Sequence, residues 1–125
     1  MVNITYPSVD EILATNKRVL ELNRAKKADK HELLGTKHQI QEIIDTMKEA
    51  KGDVYEKAVI LVKALTISHL FASGNRRTAY LVTNDFIYKN KGKDIEKPKE
   101  DVEIFKKIRY NSISDEDLLK WIKNE

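Results

Sequence analysis

Apolar residues recur along this chain at helical rather than alternating spacing. From Ser8 onward, Val9, Ile12, Leu13, Val19, Leu20 and Leu22 supply much of a stripe along one face of a helix. Ser8 can cap that helix, and Glu11 stands three residues later, the spacing of a capping box. The stripe fades in the basic stretch near Lys26 and Lys27. A polar connection from Ala28 to Lys37 follows, containing Leu33, Leu34 and Gly35. A second helix is predicted from about Lys37 to Ala50, with Ile40, Ile43, Ile44 and Met47 on one face and Gly52 closing it.

The third segment has a different pattern. Asp53 is a fair N-cap, and from Ala58 onward nearly every side is apolar, including Val59, Ile60, Leu61, Val62, Leu65 and Ile67. A helix that is hydrophobic all round is surrounded by protein, so this one is predicted to be the central strut, with His69 at its far end. The chain breaks at Ser73, Gly74 and Asn75. It resumes as a helix through Arg77, Leu81, Val82, Phe86 and Ile87 that ends before Gly92, and Lys89 to Lys93 reads as a solvated turn. Two shorter helices are predicted, from about Lys99 to Arg109 and from about Asp115 to Lys123. Ser114 and Asp117 start the last one, and Leu118, Leu119, Trp121 and Ile122 form its packing face. With no sustained strand pattern and only 4 Gly and 2 Pro, the expected class is all-α: a small helical bundle around a central buried helix.

The length of 125 residues suits a single domain, 1–125, able to bury one core without staples. There is no Cys, which removes disulfides and thiolate metal sites and suits a reducing cytoplasm. The longest apolar stretch, Ala58 to Ala72, is interrupted by Lys63, and no signal-peptide pattern precedes it; a cytoplasmic protein without a membrane span is expected. The net charge is only +3, with Lys and Glu interleaved, so nucleic acid is not an expected partner. His31 and His38 lie in or near the polar connection and are expected to face solvent, without a third ligand at metal-binding spacing.

The residues from His69 to Arg77 carry the candidate chemistry. A buried helix delivers an imidazole, a short loop with Gly74 follows, and a new helix starts near Asn75 or Arg76. Unpaired amides in the first turn of that helix, together with its dipole, form an anion site. Gly74 lets the backbone approach a ligand closely, and Arg76 and Arg77 add guanidinium forks suited to phosphate oxygens. An imidazole beside such a nest suits phosphate chemistry on a hydroxyl group. The same residues also suit an ordinary helix–helix connection in which the His packs in the core or pairs with a helix C-terminus. Residue types alone leave both readings open.

The run His69-Leu70-Phe71-Ala72-Ser73-Gly74-Asn75-Arg76-Arg77 resembles the Fic signature H-x-F-x-[DE]-G-N-x-R. Its continuation through Thr78 and Ala79 resembles the Doc (death-on-curing) branch of the Fic/Doc family. The resemblance implies a helical bundle whose central helix feeds the His loop. It implies that His69 is the general base, Phe71 an apolar anchor, Gly74 and Asn75 the shapers of an anion hole for nucleotide phosphates, and Arg77 a direct phosphate ligand. Arg76 stands where the Doc branch usually has Lys, and Tyr80 where adenylylating members carry a second Arg. Both departures point to transfer of phosphate rather than AMP. The implied activity is that of a Doc-like toxin, moving phosphate from ATP to a protein hydroxyl. Its implied target is a translation factor of the elongation factor Tu class, and its implied control a separate antitoxin. The implied cofactor is Mg²⁺, but the family's acidic, magnesium-holding position is Ser73 here. That departure keeps a second reading in play, a catalytically degenerate Fic-fold protein that binds a nucleotide or a partner. Ser112 to Asp117 fits an inhibitory [ST]-x-x-x-E-[GN] helix in its first five places only, and the capping box at Ser114 explains the same residues.

Overall fold

The computed structural model describes residues 3–22, 33–95 and 102–123. It contains α1 (Val9–Leu22), α2 (Lys37–Glu49), α3 (Val54–Ile67), α4 (Asn75–Lys91), α5 (Val102–Arg109) and α6 (Asp115–Lys123). The fold is all-α. Among the described residues the only extended pairing is one antiparallel bridge, between Leu33 and Phe71.

Capping chemistry sets most of the helix starts. The Ser8 hydroxyl accepts from the Glu11 amide at 3.1 Å, and Ser114 accepts from the Asp117 amide at 3.1 Å. Thr36 with Gln39 and Asp53 with Glu56 complete full capping boxes on α2 and α3. The end of α2 differs from the glycine stop read from the sequence. The chain leaves α2 extended at Ala50, and the buried Lys57 ammonium of α3 donates to the carbonyls of Met47 and Ala50, each at 2.6 Å. A cation thus satisfies carbonyls that the helix end leaves open.

Helix α3 is the strut, packed against α2, α4, α5 and α6, while α1 lies on α4 and touches α2. The core joins Ile12 of α1, Ile40, Ile44 and Met47 of α2, Leu61 and Val62 of α3, Phe86 of α4, Ile108 of α5 and Leu118 of α6. Full burial of each such side chain contributes about 1.5–3 kcal/mol. Two sequence expectations change. Ile67, in the last turn of α3, is 51% exposed. Lys89 to Lys91 belong to α4 rather than to a solvated turn, and Lys89 is held by Glu11 at 2.8 Å and Asp85 at 3.0 Å. His38 does face solvent and pairs with Glu42, whereas His31, Lys26, Lys27 and Lys99 lie outside the described residues. No helix among the described residues is long and apolar enough to cross a membrane.

Candidate functional site

The loop between α3 and α4 is shaped by one left-handed residue. Ser68 ends α3, and His69 then adopts φ 48°, a conformation that costs a non-glycine residue roughly 1–2 kcal/mol. That turn exposes the imidazole and sends Leu70 and Phe71 into the core, where they are 1% and 2% exposed.

Three anchors hold the strained turn in place. The Leu70 carbonyl accepts from the amides of Leu34 at 2.7 Å and Gly35 at 3.1 Å, so the segment before α2 lies along the loop. The Asn75 side chain clasps Phe71, accepting from its amide at 3.0 Å and donating to its carbonyl at 2.7 Å. From the other side Asn16 of α1, fully buried, donates to the Ser73 carbonyl at 2.9 Å and to the Thr78 hydroxyl at 3.1 Å. Gly74 closes the loop at φ 77°. A Cβ there would sit 3.2 Å from Leu20 and 3.3 Å from both Asn16 and Val19, so α1 packs directly on the loop backbone.

Helix α4 begins at Gly74 without a capping side chain and with no acid in its first turn. The first turn of a helix and the positive end of its dipole are the kind of site that binds an anion. Asn75 Nδ2 also lies 3.5 Å from His69 Nδ1. This is the outer limit of a hydrogen bond and leaves either ring nitrogen able to carry the proton.

A cleft of about 290 Å³ opens beside the loop. Thr66, His69, Asn75 and Arg76 line one wall, and Phe105, Lys106, Arg109 and Tyr110 line the other. Of the residues singled out from the sequence, His69, Asn75 and Arg76 meet in this cleft. Phe71, Ser73, Gly74 and Arg77 stand outside its lining; Phe71 is core, and Ser73, Gly74 and Arg77 are half-buried. Tyr80 is buried, with its hydroxyl 3.4 Å from the Ile95 carbonyl, and burial followed by the charge of Asp94 pushes its pKa up.

The magnesium implied by the resemblance does not fit the groups present. Mg²⁺ is normally held by one or two carboxylates together with phosphates. Ser73 offers a neutral hydroxyl, and among the described residues the cleft lining contains cations but no carboxylate. Asp85 faces Lys89 and lines a separate groove between α1 and α4.

Two contributions escaped the sequence reading. Asn16 interrupts the apolar stripe of α1 at i+4 from Ile12, a polar residue at a core position, and that interruption is the signal that could have found it. Lys106 and Arg109 carry no signal toward the His loop, because only the packing of α5 on α3 brings them there.

Among curated proteins no relative matches the chain. The sequence model of the Fic/DOC family matches residues 6–87, more than half of the chain and a span that includes α1 through most of α4 with the His loop. An exposed imidazole on a strained loop, feeding an uncapped helix start inside that matched span, agrees with the match: the chain belongs to the Fic/Doc family.

Proposed function

We propose that the chain transfers the terminal phosphate of ATP to a Ser or Thr hydroxyl of a protein target. The observation that carries this is the convergence of His69, Asn75 and Arg76 on one cleft at the uncapped start of α4. The hydroxyl oxygen attacks the γ-phosphorus, the bond to the β-phosphate oxygen breaks, and ADP leaves. His69 takes the hydroxyl proton, while the α4 amides and Arg76 hold phosphate oxygens in line. A cation at Arg76 supports the Doc-like phosphotransfer rather than AMP transfer, as does Tyr80, which puts an aromatic residue in place of the second Arg. By family resemblance the target is a translation factor of the elongation factor Tu class, the setting is the cytoplasm, and a separate antitoxin silences the enzyme. Ser73 supports a second reading, a Fic-fold protein that binds nucleotide or a partner without catalysis.

The experiment is incubation of the protein with elongation factor Tu and ATP labelled with ³²P at either the γ or the α position. Label on the factor from γ-labelled ATP alone is expected. Label from α-labelled ATP would replace phosphotransfer with AMP transfer, and no label from either, on this factor or on proteins of a cell extract, would leave the non-catalytic reading.

A further inference from the structure

Resting on the nucleotide reading above, we propose that the cleft grips a nucleoside triphosphate directly through its phosphates, without a bridging divalent cation. Lys106 and Arg109 of α5 supply the positive charge that an acid-held metal would otherwise bring. Ser73 replaces the acid, and among the described residues no carboxylate lines the cleft and no cluster of His, Asp or Glu could hold a metal. Opposite the His loop, the cleft instead presents two side chains of matching chemistry. Lys106 and Arg109 are three residues apart on α5 and so share one face of the helix. Their neighbours Phe105 and Ile108, 3% and 0% exposed, seat α5 on the core; Phe105 also lines the cleft and meets Trp121 edge-on with ring centres 6.1 Å apart. With α5 seated by those two residues, Lys106 and Arg109 share the lining of the cleft with Arg76.

Their pairing state agrees. Lys63, Lys89 and Lys120 each contact an Asp or Glu, whereas Lys106 and Arg109 are exposed and, among the described residues, make no ion pair. A cation in the last turn of a helix also complements the helix dipole. Lys107 occupies the same last turn, is equally exposed, and lies outside the cleft lining, so it separates the two roles.

The test is calorimetric titration of ATP, and of inorganic tripolyphosphate, into the full chain in EDTA and in magnesium. It is run on wild type, Lys106→Ala/Arg109→Ala and Lys107→Ala, with thermal melts to show that each variant is folded. ATP is expected to bind at least as tightly in EDTA as in magnesium. The double variant is expected to lose about tenfold or more in affinity for both probes, since hydrogen bonds to charged groups are being removed. Lys107→Ala is expected to change affinity by roughly twofold or less, a screened remote charge. ATP binding that requires magnesium, or that survives the double substitution, overturns the metal-free grip and leaves the nucleotide reading standing. Tripolyphosphate binding that depends on the pair, without ATP binding, keeps the grip and removes the nucleotide. Binding of neither probe overturns the grip, and the transfer assay then judges the nucleotide reading alone.

Discussion

Asn16 ties α1 to the His loop, and replacing it tests how much of the loop's shape depends on that tie. Its amide donates to the Ser73 carbonyl at 2.9 Å and the Thr78 hydroxyl at 3.1 Å from a fully buried position. Asn16→Leu fills much of the same space but supplies no donor. The Ser73 carbonyl and the Thr78 hydroxyl oxygen both lose the Asn16 donor, an expected cost of about 1–3 kcal/mol. Asn16→Ala adds a small cavity beside Gly74 and is expected to cost somewhat more. Asn16→Asp is the sharpest variant. Its carboxylate would face the Ser73 carbonyl, so the loss at pH 7 should exceed that of Asn16→Leu. Acid should then narrow the gap, because the protonated acid regains an O–H donor. Urea unfolding at pH 7 and near pH 4 measures all three. If Asn16→Leu falls within about 0.5 kcal/mol of wild type, the tie contributes no more than an ordinary surface contact and the reasoning fails.

Three other substitutions probe separate parts of the structure. Gly74→Ala meets both a left-handed φ and contacts of 3.2–3.3 Å with α1, so a loss of about 1–3 kcal/mol is expected in urea unfolding, and a neutral result would show that α1 can give way. Hydrogen bonding to Lys89 leads the causes that lower the Glu11 pKa below 4.5, so its contribution is present above pH 4.5 and fades as pH falls through the lowered folded value. Both partners are roughly half exposed, so Glu11→Gln should cost about 0.2–1 kcal/mol at pH 7 and nothing in strong acid; a cost that persists in acid would assign it to packing. Ser73→Asp restores the family's acid and is expected to make transfer magnesium-stimulated, as read by label transfer across a magnesium titration. An unchanged metal response would mean that this position does not reach the phosphates.

Much of this fold is legible in the sequence because its helix starts are written in local chemistry. Ser8, Asp53 and Ser114 each accept the hydrogen bond that their spacing to the third helical residue announces. The matching bounds of α6 follow from such a cap and a short apolar face. The end of α2 was less legible, because its carbonyls are met by Lys57, a residue that a local pattern assigns only to the next helix. Half of the candidate cleft is local and half is not. His69, Asn75 and Arg76 are neighbours in sequence, and Asn75 reaches back only four residues to clasp Phe71. The wall opposite them comes from α5, beyond the matched family span, and depends on how Phe105 and Ile108 seat that helix. A search for apolar stripes also passes over Asn16, since a buried amide weakens the very pattern that identifies the helix.

The central claim is that His69 acts as the base within a phosphate-binding cleft, and its most direct test is His69→Ala measured for both transfer and binding. The imidazole is exposed, and among the described residues its one hydrogen-bonding contact is the 3.5 Å approach of Asn75, so its removal should leave the fold and the phosphate grip intact. Label transfer from γ-labelled ATP is expected to fall about 10²- to 10⁴-fold, while ATP affinity in the same preparation stays close to that of wild type. Equal transfer rates in wild type and His69→Ala would contradict the account.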